Sequence, residues 1–279
     1  MTTIAVDVPV ARPRAALSSW WSDTRVYAAR NLRHIREIPE KLLDVTLQPL
    51  MFVLLFAYVF GGAIAVQGGN YREYLIAGIL LQSLAFGMTG PATAIATDLT
   101  EGVIDRFRSL PSARSAYLSG HVLAELAGMG VSIGILLVSG LVVGWRTHTD
   151  PLHVAAALGL LVLFALAMVI GGTLLGLMVR SPDAVMGIAF TVIFPLTFIS
   201  NAFVPIESMP TFLQDVAAWN PVSVITAAVR ELFGNPTAPV TVHSWPIEHP
   251  VVTGFAYCFL ALAITIPLCL RRYKARTTD

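Results

Sequence analysis

Long apolar runs separated by short polar connections dominate the chain. Six of them stand out, at about 42–64, 74–96, 119–143, 153–178, 184–201 and 251–270. A hydrocarbon core about 30 Å thick needs about 20 largely apolar residues per helical crossing, so the pattern predicts six transmembrane helices and an all-α, polytopic membrane fold. An even number of crossings puts both termini on one side.

A different periodicity precedes the first run. Leu17, Trp20, Trp21, Thr24, Tyr27, Ala28, Leu32, Ile35 and Ile38 recur at helical spacing, while Arg25, Arg30, Arg33 and Arg36 occupy other angles. This predicts an amphipathic helix over about 17–38, within a polar arm of residues 1–40 and ended by Pro39. Two settings fit it. On a membrane, Trp20 and Trp21 would sit at headgroup level with the arginines near anionic lipid phosphates; alternatively the helix docks on another chain.

Two connections are patterned beyond the needs of a spacer. In the loop at 97–118, Val103, Ile104, Phe107 and Leu110 make an apolar stripe on a short helix. Asp98 and Glu101 precede the stripe and Arg106 and Arg108 lie towards its end, the order that suits a helix dipole, and Pro111 stops it. Such a helix, held between two spans, is what transmitting a push from a soluble motor requires; lying on lipid is the alternative. The segment from about 202 to 250 would be exceptional as fifty structureless residues. Pro205 and Pro210 punctuate it, and Phe212, Leu213, Val216 and Trp219 have amphipathic spacing. Asn220-Pro221 breaks the chain, and 222–233 resumes a helical pattern. Short helices over about 202–235 would satisfy the backbone in or near lipid, either re-entrant or lying at the outer surface.

Composition supports the membrane reading. The chain of 279 residues is 56% hydrophobic and 13% charged, against about 25% charged for soluble domains, and its mean hydropathy is +0.72. The net charge of +1 is unevenly placed. Fifteen Lys and Arg residues fall on the side of the termini, and only Arg72, Arg146 and Arg230 on the other. Basic short loops are retained in the cytoplasm, so both termini are expected inside. The first forty residues have no apolar core of the kind a cleaved signal peptide needs.

The search for chemistry returns little. No Gly-Lys dipeptide occurs, which excludes a phosphate-cradling Gly-x-x-x-x-Gly-Lys loop, and no Gly-x-Ser-x-Gly nucleophile setting appears. The six histidines include no i, i+4 pair; His148, Asp150 and His153 cluster beside Pro151 as turn residues. No enzymatic activity, metal, cofactor or nucleic-acid partner is therefore expected of this chain. Cys258 and Cys269, about three helical turns apart, cannot reach each other. Glu125 is the one carboxylate clearly inside a span. It is a candidate for proton or substrate handling, with solvation near headgroups or pairing with Arg114 or His121 as alternatives. Few buried charges and no obvious internal repeat argue against an ion-coupled secondary transporter. Gly130/Gly134, Gly140/Gly144 and Gly172/Gly176 are pairs that let helices approach closely.

The two patterned connections carry a family resemblance. Glu101-Gly102-(2)-Asp105-Arg106-(3)-Leu110-Pro111-(2)-Arg114, with Phe107 inside it, resembles the cytoplasmic signature of type-2 ABC exporter permeases. Asn201-Ala202-Phe203-Val204-Pro205-(4)-Pro210, with Trp219-Asn220-Pro221-Val222 and Arg230, resembles their external block. The stretch Pro39 to Pro49, followed by Phe60-Gly61-Gly62, resembles the daunorubicin-resistance-type drug-efflux subgroup. Asp105 stands where Glu is common. The resemblance implies a permease of the bacterial inner membrane that pairs with an identical copy or a paralogue and with ATP-binding subunits that hold the ATP and Mg. Residues Glu101 to Arg114 would then seat on the ATPase, and the Asn201 to Arg230 block would act as an external gate. The cargo implied is a hydrophobic or amphiphilic small molecule such as a drug, an antibiotic or a lipid, with a polysaccharide or lipid-linked glycan as the alternative.

Overall fold

A computed structural model describes Leu47 and residues 50–60, 70–103, 116–237 and 244–276. The amphipathic helix at 17–38, with Trp20, Trp21, Arg25, Arg30, Arg33 and Arg36, lies outside the described residues. So do Asp105, Arg106, Phe107, Leu110, Pro111 and Arg114.

The described residues form helices and no strands. α1 covers Leu50–Val59 and becomes π-helical over Leu55–Phe60. α2 (Tyr71–Phe86) starts where the Asn70 side chain accepts the Arg72 N–H at 3.1 Å, capping an otherwise orphaned donor. After a turn at Gly87 the chain resumes as α3 (Thr89–Thr100), and α2 and α3 together make a 30-residue apolar column. α4 (Ala116–Val143), α5 (Pro151–Met178) and α10 (Pro250–Arg276) are single long helices. These three helices and the α2–α3 column are long and apolar enough to cross a membrane. α1 and α6 (Pro182–Phe198) are shorter apolar helices. Between α6 and α10 come a 3-10 turn at Ile206–Ser208, α7 (Thr211–Trp219), α8 (Pro221–Phe233) and α9 (Trp245–Glu248).

Two element boundaries differ from the apolar pattern. The helix expected to stop near residue 96 runs on to Thr100, so Thr97 and Asp98 are helical rather than part of a loop. It stops because Gly102 adopts φ +66°, a left-handed conformation that glycine enters without steric cost. α6 ends at Phe198 rather than 201. Pro195 lies in its last turn, the Ser200 hydroxyl donates back to the Thr197 carbonyl of α6, and the Asn201 N–H donates to Ser223.

α5 is the centre of the packing, touching α3, α4, α8 and α10. Its approach to α3 rests on two glycines: a Cβ on Gly172 would lie 2.2 Å from the Met88 carbonyl oxygen, and one on Gly176 would lie 2.4 Å from that of Ala92. The spacing that lets these helices meet is therefore used for contact between backbones. Gly130 of the Gly130/Gly134 pair faces open space, as does Gly134. The most enclosed element is α8. Eleven of its thirteen residues are buried among α2, α5 and α10.

Candidate functional site

The external block folds around Arg230. This residue is one of the three basic residues that the sequence puts on the side opposite the termini, and it is 1% exposed. α8 is driven inside by its apolar majority, and the guanidinium goes with it. There Nε donates to the Tyr74 carbonyl at 2.8 Å, Nη2 donates to the Ala202 carbonyl at 2.9 Å, and Cζ sits 3.4 Å from the centre of the Tyr74 ring. Desolvation lowers the Arg230 pKa, and Tyr74 and Tyr71 beside it act in the opposite sense. A guanidinium stays protonated in proteins, so α8 holds a buried positive charge. No carboxylate salt bridge to it is present among the described residues. Backbone carbonyls and ring faces supply the negative potential instead.

Each arm of this arrangement has a local cause. Ala202 reaches α2 because Gly78 offers no side chain; a Cβ there would stand 1.8 Å from the Ala202 oxygen. The Tyr74 hydroxyl donates to the Asn201 carbonyl at 2.7 Å and the Tyr71 hydroxyl to the Phe203 carbonyl at 3.1 Å, fixing the 201–203 turn on α2. From the other side, the Asn201 N–H donates to Ser223 Oγ of α8 at 3.1 Å. Asn201 Oδ1 is buried and has no partner.

Asn220 is a double cap. Its Oδ1 accepts the Val222 N–H at 2.9 Å, starting α8 with Pro221 as the first residue. Its Nδ2 donates to the carbonyls of Leu196 and Ile199 at 2.7 and 2.6 Å, closing the end of α6. One amide thus satisfies orphan groups of two helices. Pro205 and Pro210, both extended, put their carbonyls at the starts of the 3-10 turn and of α7. Trp219 stands apart from this constellation, 61% exposed on α7.

Phe203 joins a feature that no sequence motif marked. Its ring lies 4.8 Å from Phe56 and 5.4 Å from Phe198, and the series extends to Phe52 on α1, to Phe194 and Phe190 along α6, and to Phe86 on α2. Seven phenylalanines therefore form one ladder, every step of which falls within or just under the usual 4.5–7 Å range for aromatic pairs. Phe190, Phe194 and Phe198 are exposed. The signal was present at 52/56 and 190/194/198, each spaced by one helical turn.

At the opposite end of the helices, only Glu101 and Gly102 of the cytoplasmic motif are described. Glu101 is exposed and caps α3 through its N–H to the Thr97 carbonyl at 2.9 Å. Asp98, which precedes the apolar stripe, is half-buried and accepts a hydrogen bond from the Tyr117 hydroxyl. His121, one turn further along α4, is 2% exposed with Nε2 unpartnered. Glu125 is half-buried beside Gly90. His148 meets Glu73 at 3.0 Å and His153 meets Asp150 at 3.7 Å, so the histidines are divided between two carboxylates. Among the described residues no group of three His, Cys, Asp or Glu could hold a metal ion.

Together these observations define an all-helical, multi-pass membrane protein built around a polar knot at one end and an aromatic ladder. Residues 22–233 match the ABC-2 type transporter family, and the chain belongs to that family. It is 31% identical over 263 residues to the daunorubicin resistance ABC transporter permease protein DrrB1 of Streptomyces coeruleorubidus, covering 94% of this chain and 89% of the relative. The doxorubicin resistance ABC transporter permease protein DrrB of Mycobacterium tuberculosis is 28% identical over 90% of this chain and 89% of its own length. The inner membrane transport permease YadH of Escherichia coli is 22% identical over 76% and 82%. The relatives are permeases, which makes this chain a transport subunit.

Proposed function

We propose that the chain is the membrane-spanning permease of an ATP-driven exporter in the bacterial inner membrane, moving a hydrophobic or amphiphilic small molecule out of the cell. ATP and Mg bind a separate ATPase chain, and a second permease, identical or paralogous, completes the pathway. Both termini face the cytoplasm, where Glu101, Gly102, Asp105, Arg106, Phe107, Leu110, Pro111 and Arg114 seat on the ATPase. The knot of Asn201, Phe203, Pro205, Pro210, Asn220, Pro221 and Arg230, flanked by Trp219, closes the external end. The helix carrying Trp20, Trp21, Arg25, Arg30, Arg33 and Arg36 lies along the inner leaflet.

The observation that carries this reading is likeness over nearly the whole chain to permeases named for daunorubicin and doxorubicin resistance. The phenylalanine ladder adds a physical argument about cargo. Its seven rings offer flat apolar contact and no hydrogen-bonding group, which suits an apolar or aromatic molecule better than a glycan chain bristling with hydroxyls. The test is co-reconstitution with the ATPase chain in vesicles. Transport-linked ATP hydrolysis is expected, and Glu101→Ala and Arg106→Ala should each lower it while the protein stays in the membrane. Lack of binding between the two chains would refute the reading; unchanged export in both variants would remove the coupling role from that loop.

A further inference from the structure

The end of the molecule opposite Arg230 holds a second polar junction. Asp98, in the last turn of α3, and Tyr117, in the first turn of α4, are joined by the hydrogen bond from the phenol to the carboxylate. The Tyr117 ring is buried and lies parallel to that of Tyr273 near the end of α10, with centroids 6.5 Å apart and an interplanar angle of 12°. Around them Ile95, Leu118, Ile170, Leu177 and Leu262 form a compact apolar cluster contributed by α3, α4, α5 and α10. His121, one turn beyond Tyr117 on α4, is buried at the same end of the molecule. A carboxylate here is not needed to fill space, and a phenylalanine would supply the same apolar ring as Tyr117. The pair therefore adds a directional, charge-assisted tie between helix ends that apolar packing alone would leave free to slide.

We propose that Asp98, Tyr117 and Tyr273 form a latch that makes the ends of α3, α4 and α10 move as one body, so that a displacement delivered at this end reaches the spans undiminished. This rests on the reading of the chain as a permease driven by a separate ATPase. The three are positioning residues: they touch neither nucleotide nor cargo. Asp98 and Tyr117 flank the segment that contains Glu101 and Gly102, so the latch stands at its root. A hydrogen bond to a charged group biases a two-state equilibrium by roughly tenfold or more, and its loss should show as slippage between hydrolysis and transport.

The experiment uses the complete permease–ATPase complex in vesicles and reads three quantities: assembly, ATP hydrolysis and cargo moved per ATP. Tyr117→Phe keeps the ring stack and removes the proton donor; Asp98→Ala removes the acceptor; Asp98→Asn keeps an acceptor oxygen. Tyr117→Phe and Asp98→Ala should assemble and hydrolyse ATP at near-parental rates, with cargo moved per ATP reduced several-fold. Asp98→Asn should recover only part of that ratio, because it keeps an acceptor but not the charge; intact hydrolysis with reduced cargo per ATP is the split that a merely structural role would not produce. As a measure of the tie itself, thermal unfolding of the purified permease should show that Tyr117→Phe adds nothing once Asp98→Ala is present. Parental cargo per ATP in Tyr117→Phe and Asp98→Ala overturns the latch, as do strictly additive effects on unfolding. If the unaltered permease fails to bind the ATPase, the fault lies with the functional reading, and the latch falls with it.

Discussion

Replacing Arg230 tests whether the knot is held by its buried charge or merely tolerates it. The guanidinium makes two hydrogen bonds to carbonyls and one ring contact. Hydrogen bonds to charged groups contribute about 1.5–3 kcal/mol each and a desolvated cation over a ring about 2 kcal/mol. Several kcal/mol of ion desolvation offset that total. Arg230→Ala loses the bonds and leaves a cavity where a large fully buried side chain stood, so the expected destabilisation is about 3–5 kcal/mol. Arg230→Met fills much of the volume and removes the ion, leaving mainly the Ala202 carbonyl unpaired, at about 1–3 kcal/mol. Arg230→Lys keeps the charge but not the planar fork that reaches two carbonyls on different segments. The order of thermal unfolding in detergent should be parent, then Met, then Ala, with export reduced in Ala because the 201–203 turn loses its tie to α8 through Arg230 and is held on α2 by the Tyr71 and Tyr74 hydroxyls alone. The reasoning is refuted if Arg230→Ala melts with the parent, or if Met is as damaging as Ala.

Gly78→Ala should reproduce much of the Arg230→Ala phenotype while leaving the arginine in place, since its Cβ would collide with the Ala202 oxygen; unfolding temperature and export measured together check this. Gly172→Ala and Gly176→Ala should each cost about 1–3 kcal/mol by separating α5 from α3, whereas Gly130→Ala, facing open space, should gain about 0.5–1 kcal/mol of helix stability in the isolated chain. Parallel melting curves would decide, and equal losses at all three positions would contradict the packing described. Asn220→Ala should cost about 2 kcal/mol or more, because one amide caps α8 and satisfies two α6 carbonyls. Asn220→Asp should be worse at neutral pH, because a carboxylate would then face those carbonyls; a neutral outcome would show that the end of α6 finds other donors.

Four of the six apolar runs form helices long and apolar enough to cross a membrane, and these were legible because bilayer thickness imposes a minimum run length and a run of twenty apolar residues has few other uses. The helical pattern at 222–233 was legible too, but the packing of α8 was not. Thirteen residues are too few to span, and Ser223, Thr226 and Arg230 left re-entrant and outer-surface settings equally open. Its burial is decided by partners distant in sequence: Ser223 meets the Asn201 N–H, and Arg230 meets Tyr74 and Ala202. The external motif was visible as a set of residue types, but nothing in their spacing showed that Arg230 closes on Tyr74, or that Trp219 stays outside. Gly102 likewise read as part of a motif, and only its positive φ shows it as the stop of α3. Asp98 was read only as an acidic residue ahead of the apolar stripe; its tie to Tyr117 joins residues nineteen apart, a pairing that no helical spacing marks.

The two polar junctions share one structural column. Tyr71 and Tyr74 stand in the first turn of α2, and Asp98 stands in the last turn of α3, so the knot and the latch are fastened to opposite ends of the same 30-residue helical run. At 1.5 Å per residue the distance from Tyr74 to Asp98 is about 36 Å, enough to cross the hydrocarbon core. The column is interrupted once, at Gly87 and Met88. At the interruption the Met88 carbonyl presses on Gly172, and a turn later that of Ala92 presses on Gly176 of α5. The contacts of Met88 with Gly172 and of Ala92 with Gly176 therefore hold the column against α5 near its middle, and Gly78, where a Cβ would stand 1.8 Å from the Ala202 oxygen, holds it at the knot. The strictest packing requirement among these glycines is thus at the knot itself, where a helix and a turn meet with no room for a methyl group.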